Sequence, residues 1–305
     1  MELFNPNSKI DFMGIRKWTA LFSVFVFLLS ITSLSINGLK WGLDFTGGTQ
    51  IEVSYSHTAN LGAIRGALSR AGFTEAQVIS YGSSKDVLIS IAPHKNLDQI
   101  HLVNQVMVAL PGAQKKQAEF VGPQVGKELA IKGALAVVIA MLATMAYIAF
   151  RFEYRLAISA AVALVHDPIL ILGIFSLFHI EFDLKALAAL LAVIGYSLND
   201  TIVVFDRVRE NFRKIRRSSA LDIMNLSINQ TLSRTVMTSA LTLVVVVSLF
   251  LYGGEAIHTF ALALIIGILI GTYSSIYVAG ALAISLKLNR SDLVPAPKKN
   301  IDDRP

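Results

Sequence analysis

The stretch GYSLNDTIVVFDRVRENFRKIRR, Gly195 to Arg217, opens among apolar residues and ends in a cluster of arginines. Apolar residues giving way to Arg207, Arg209, Arg213, Lys214, Arg216 and Arg217 make the pattern of a helix leaving lipid at a cytoplasmic surface. Within the apolar part sits Asp200, six residues before Asp206. Insertion scales put a charged Asp or Arg at a helix centre at about 2.5 to 3.5 kcal/mol, so something must offset that carboxyl.

The rest of the chain agrees with a membrane reading. It is 54% hydrophobic and 16% charged over 305 residues, where a soluble domain carries about 25% charge. It has no cysteine, which excludes a disulfide framework, a thiol nucleophile and Cys-based zinc or iron–sulfur sites. The formal net charge of +6 lies in loops beside apolar segments, a sign of topology and not of nucleic-acid binding.

Spans able to cross about 30 Å, roughly 20 residues each, are expected at residues 18–36, 129–150, 156–178, 186–206, 231–252 and 257–286. Arg16 and Lys17 before the first are reminiscent of a signal peptide, but its length and the lack of an Ala-x-Ala site read as a retained span. Lys and Arg in short loops put the N-terminus (1–17), the Arg151–Arg155 loop, the 207–230 loop and the tail (287–305) in the cytoplasm. The tail has the composition of a disordered segment. In the 207–230 loop, Leu221, Met224, Ile228 and Leu232 fall at helical spacing, the mark of an amphipathic helix lying along the interface before the fifth span.

Residues 37–128 have ordinary soluble character and form an extracytoplasmic domain. TQIEVSY, AQVISY, DVLISIA and KKQAEFV read as strands, and TANLGAIRGALSRAGF and LDQIHLVNQVMVAL as helices. The order is β-α-β-β-α-β, the small α+β ferredoxin-like pattern.

Three spans carry ionisable residues: His166 and Asp167, followed by Pro168; Asp200; and Arg234. Asp200 lies about 9 Å from Asp206 at ~1.5 Å per residue, and Arg234 lies six residues beyond Ile228 on a span of opposite direction. Both therefore sit at similar depth and can pair. The plainer reading is a static bridge, with Arg234 snorkelling to the interface. The sharper one is a switch, in which protonation of Asp200 removes the counter-charge of Arg234 and changes helix packing. A membrane potential supplies about 2.3 kcal/mol per charge per ~100 mV, comparable with the insertion penalty. His166, Asp167 and Pro168 read equally as a proton relay or as a helix kink whose polar groups satisfy a freed carbonyl. Asp206 reads as a helix-end charge. Gly267 and Gly271 form a GxxxG helix-packing motif. Gly47 and Gly48 suggest a tight turn, and no P-loop pattern is present, so no ATP site is expected.

FMGIRKW, WGLDFTGGTQIEV, EFVGPQVGKEL, VHDP and IGYSLNDTIVVFDRVREN together resemble the SecF branch of the SecD/SecF protein-export family over nearly the whole chain. The resemblance implies a bacterial inner-membrane subunit whose six spans correspond to half of an RND-type transporter. It implies pairing with SecD, association with the SecYEG channel, and use of the proton gradient, with no other cofactor or metal, to draw an unfolded preprotein outward. The family's functional aspartate and arginine fall on Asp200 and Arg234. Two rival classes stand beside it: an RND-like proton-driven exporter of lipids or small hydrophobic molecules, and an intramembrane protease. Exporters of that type usually carry two large soluble domains over twelve spans. A protease would need GxSG or GxGD, and GYSL matches neither.

Overall fold

A computed structural model describes residues 10–93 and 99–293. The first nine residues, with Lys9, and residues 294–305 of the tail lie outside the described residues, so the expected tail disorder falls largely there. In chain order the elements are α1 (Arg16–Ile36), β1 (Lys40–Trp41), α2 (Leu43–Thr46), β2 (Gly48–Ser54), α3 (Leu61–Arg70), β3 (Gln77–Tyr81), β4 (Ser83–Ile91), α4 (Gln99–Ala109) and β5 (Gln114–Val121). Then follow α5 (Pro123–Arg151), α6 (Tyr154–Leu177), β6 (Glu181–Phe182), α7 (Leu184–Lys214), α8 (Ala220–Tyr252), α9 (His258–Tyr273), a π-helical turn (Ser274–Val278), α10 (Ala279–Ser285) and α11 (Arg290–Leu293).

Among the described residues six helical stretches are long and apolar enough to cross a membrane: α1, α5, α6, α7, α8 and the continuous run His258–Ser285. They divide into two kinds. The apolar windows of α6 and α7 are 61% and 50% buried and that of the last span 44%, whereas α1, α5 and α8 reach only 11–17%. Three helices thus build the interior and three offer apolar sides, such as Phe25, Leu142 and Val244, to lipid or a partner. Close backbone approach locks the inner helices. A methyl group on Gly267 would come within 2.2 Å of Val193 Cγ2, and one on Gly271 within 3.0 Å of Ser197 Cβ, so the GxxxG motif is the seat of α9 on α7. Gly173 on α6 performs the same service for α1, where an added methyl would meet Ser30 at 2.2 Å.

The soluble insert is a four-stranded sheet of order β3-β4-β2-β5, every pair antiparallel. Renumbered within the domain that order is 2-3-1-4, the split βαβ arrangement expected of a ferredoxin-like fold. Alternation sends Ile51, Val53, Val87, Ile89 and Ile91 inward against Ile64 and Leu68 of α3 and Leu102 and Val106 of α4. Asn60 caps α3 by accepting from the amides of Gly62 and Ala63. Gly82, at φ 74°, turns β3 into β4.

Two boundaries differ from the sequence reading. The helix that carries the second expected span is not confined to residues 129–150: α5 starts at Pro123, where a proline suits the first helical position, and runs unbroken from the domain through those residues. Nor is there a separate interfacial helix before a fifth span starting at residue 231. Ser219 and Asp222 form a capping box that starts α8, and nothing between Ala220 and Tyr252 breaks the helix. Its stripe of Met224, Ile228 and Leu232 is buried in the main core with Phe205, Val208 and Met13, so it packs on protein and not on lipid headgroups.

Arg151, Arg155 and Arg209 gather at one end of the bundle. Arg151 pairs with Asp206 at 2.7 Å, Arg209 with Glu153 at 3.5 Å and Arg155 with Asp292 at 2.8 Å. The chain before α1 docks there too, with the amides of Ile10 and Met13 donating to Asn229 and Asn225 of α8.

Candidate functional site

Asp167 is the polar centre of the bundle. It is 1% exposed on α6, and its Oδ2 accepts from Ser197 Oγ of α7 at 2.5 Å and from Ser274 Oγ of the π-helical turn at 2.7 Å. Its Oδ1 lies 2.9 Å from His166 Nδ1. One carboxyl therefore ties together three of the inner segments. The helix α6 continues through Pro168 without ending. The π-helical turn has a reason in this geometry: one extra residue per turn reorients the backbone just where Ser274 must face Asp167.

Asp200 lies one helical turn beyond Ser197 on α7 and is also buried, yet its surroundings differ. Its Oδ2 is buried without a hydrogen-bond partner. On α8, which packs beside α7, Thr235 Oγ1 is likewise buried without a partner. Arg234 precedes that threonine and is exposed in the single chain. Among the described residues no ion pair joins Arg234 to Asp200, although the guanidinium is near enough for its charge to be felt at the carboxyl. The direct pair that the depth argument allows is thus not made in this conformation. The physical reason lies in α8: its buried side chains Thr231, Leu232, Thr235 and Ser239 face the core, and Arg234 falls beside that stripe.

Sequence reasoning missed Ser197 and Ser274. The available signal was weak: serines are frequent in this chain's spans, and only their convergence on Asp167 distinguishes these two. It also missed a smaller polar ladder, in which Ser239 Oγ of α8 lies 2.8 Å from Thr272 Oγ1 of α9 and Tyr196 donates to Ser239 at 3.3 Å. Asp206 pairs with Arg151 at the end of α5, but it is not a helix-end charge: α7 continues through it to Lys214. Among the described residues no group of three or more His, Asp or Glu side chains is gathered as a metal would require.

At the opposite end the bundle is joined to the soluble insert by specific contacts. β1 pairs in parallel with β6, which immediately precedes α7. Asp44 of α2 accepts from the amide of Leu184 at 2.9 Å, at the first turn of α7, and Asp183 caps that helix by accepting from Ala186 at 2.7 Å. Phe45 packs on Phe182 and belongs to one core with Leu187 and Leu190. Gly47 and Gly48, both at positive φ, carry the chain from this anchor into β2. A methyl group on Gly47 would meet Pro123 at 2.8 Å, and one on Gly126 would meet the Phe45 carbonyl at 2.8 Å. Both glycines are therefore required for their backbone conformation, and Gly47 also for the approach of α5.

Comparison with known proteins fits this arrangement. Residues 103–289 match the family model described as protein export membrane protein SecD/SecF, C-terminal, and residues 32–59 match the SecD/SecF GG motif. The chain is 48% identical to the protein translocase subunit SecF of Vibrio alginolyticus, over 96% of this chain and 95% of that one. It is 43% identical to the corresponding protein of Pseudomonas aeruginosa, over 97% and 98%. Its structure is similar to the crystal structure of a Thermus SecDF, a translocon-associated membrane protein, with a TM-score of 0.85 and 33% identity over 94% of this chain. It spans 40% of the length of that SecDF chain. A multi-pass bundle with this soluble insert, matched by the family model over more than half its length and by near full-length relatives, belongs to the SecD/SecF family of protein-export membrane proteins.

Proposed function

We propose that the chain is the SecF-type subunit of a protein translocase, working with SecD in the bacterial inner membrane and beside the SecYEG channel. Both of its termini lie in the cytoplasm, and the proton gradient drives it to help draw an unfolded preprotein outward. The observation that carries the reading is Asp200: a carboxyl buried in a membrane helix with one oxygen unpartnered and a guanidinium nearby but not bonded. Such a group has an unmet demand that a proton or a moving arginine can fill.

The cycle follows from charge. While Asp200 is ionised it attracts Arg234, drawing α8 against α7. Once protonated it becomes a neutral donor, and the attraction lapses. Motion of α7 is then felt at its other end, where Asp44 and Phe45 hold the segment that leads directly into β2. In this way a titration in the membrane is passed to the extracytoplasmic domain. His166 and Asp167 are read here as the frame of this device, since the Asp167 carboxyl holds hydrogen-bond partners in Ser197, Ser274 and His166 and so links three inner segments.

The test uses Asp200→Asn and Arg234→Met in the full chain with its SecD partner. Both variants are expected at normal membrane level and to co-purify with SecD, and both lose the gradient-dependent part of preprotein export. A fully active Asp200→Asn protein would remove the switch.

A further inference from the structure

The function above leaves one buried atom, Nε2 of His166, without a task. His166 is 6% exposed; its Nδ1 is turned to Asp167, and its Nε2 is buried without a hydrogen-bond partner. The same ring lines a cavity of about 560 Å³ bounded by α1, α6, the π-helical turn and α10. Phe27 stacks over the ring at 6.0 Å between centroids with the planes 5° apart, and Val165, Tyr277 and Ala281 continue the wall. Among the described residues no Lys, Arg, Asp or Glu lines it.

We propose that this cavity binds a neutral lipophilic alcohol, an alkyl or prenyl chain with one hydroxyl, with the hydroxyl on His166 Nε2. Three arguments select that chemistry. An apolar wall stays dry and takes up apolar matter, so a chain and not a water column fills the space. The lack of lining charge excludes a phosphate or carboxylate headgroup. The third argument is depth. His166 lies 12 residues into α6 from Tyr154, about 18 Å along the helix and so near the middle of a hydrocarbon layer about 30 Å thick. The ester groups of ordinary phospholipids do not reach that level, and their tails offer nothing to a ring nitrogen. A hydroxyl does, and it suits either state of the ring, since it donates to a bare nitrogen and accepts from a protonated one.

The site touches the frame of the bundle from two sides. His166 is bonded to Asp167, and Tyr277 and Val278 belong to the same π-helical turn as Ser274. A bound alcohol thereby buttresses the Asp167 centre.

The proposal is tested on the full chain in phospholipid nanodiscs, with a photoreactive ten-carbon diazirine alcohol as probe and 1-decanol and n-decane as competitors. Labelling is expected to concentrate on peptides holding Phe27 and Val162. One hydrogen bond makes decanol the better competitor by about five- to tenfold at matched membrane concentration. Ala161→Phe fills the cavity without touching the Asp167 centre and is expected to lower labelling at least tenfold, whereas His166→Phe leaves labelling but makes the two competitors equal. If His166→Phe does not assemble, Ala161→Phe and the competitor ratio on the unaltered chain decide alone. Labelling spread over the lipid-facing sides of α5 and α8, equal competition by decane on the unaltered chain, or unchanged labelling of Ala161→Phe would each overturn it. None of these readouts involves export, so the proposal stands or falls separately from the proton switch.

Discussion

Asp167 and Asp200 are two carboxyls within the same membrane bundle, 1% and 3% exposed, joined through Ser197 and one turn of α7. Burial does not distinguish them; partners do. Asp167 gathers two hydroxyls and an imidazole from its surroundings, while Asp200 keeps an oxygen without any donor. A carboxyl partnered on both oxygens in low dielectric acts as a joint, because removing either side leaves a buried polar group unsatisfied. An unsaturated one is a place where a proton or a cation can enter without displacing anything. The contrast teaches that an intramembrane acid is assigned to frame or to function by its hydrogen-bond account more than by its depth.

The comparison breaks most sharply at Asp200. Asp200→Asn is expected to reduce gradient-dependent export at least tenfold, about 1.4 kcal/mol or more of coupling, with no change in thermal unfolding of the purified complex. Should the loss of export be matched by a loss of fold, Asp200 would be a second joint and the contrast would vanish. Next comes Asp167→Ala, which strands Ser197, Ser274 and His166 and is expected to destabilise the bundle by roughly 3 kcal/mol; Asp167→Asn keeps an acceptor and loses less. Thermal unfolding in detergent or nanodiscs measures both. A stable Asp167→Asn variant with export as defective as that of Asp200→Asn would turn the joint into a relay.

A smaller effect attends the scaffold that brings the two carboxyls onto one helix. Gly267→Val drives a methyl into Val193 of α7, and overpacking of this kind destabilises by about 1–3 kcal/mol. Gly195, with nothing within 4 Å of an added methyl, serves as the control, and Gly195→Ala should be neutral in the same assay. The smallest effect lies outside the membrane. Lys116 bridges Asp86 at 2.8 Å and Glu52 at 3.5 Å on the open face of the sheet, and its ammonium holds the Asp86 carboxyl well below the usual carboxylate range. A lowered folded-state value contributes stability above the ordinary carboxylate range, and that contribution is lost as pH falls through the folded value. Lys116→Met is expected to flatten this acid-side slope slightly, a surface pair being strongly screened. If the slope instead lay wholly in the membrane acids, the variant would leave it unchanged while Asp200→Asn altered it.

Much of this molecule is legible in its sequence because lipid and short loops impose strict rules. Six spans follow from apolar length, and the ferredoxin-like order follows from strand alternation and turn residues such as Gly82. The stripe of Met224, Ile228 and Leu232 is legible too, although what it packs against is not: lipid surface and protein core demand the same apolar face. The seat of α9 on α7 is visible in Gly267 and Gly271, since only small residues permit that approach.

By itself, then, the chain's order of residues determined the number of membrane crossings, the identity of the inserted domain, and which polar side chains stand inside the hydrocarbon layer. Only the tertiary structure decided what those side chains meet. It brought Ser197 and the π-helical turn of Ser274 to Asp167, left Asp200 incomplete, set Arg234 beside rather than against it, and joined the first turn of α7 to Asp44. The reason is physical: hydrophobic period and length are properties of a segment, whereas a hydrogen bond between helices depends on their rotation and crossing, which no single segment contains.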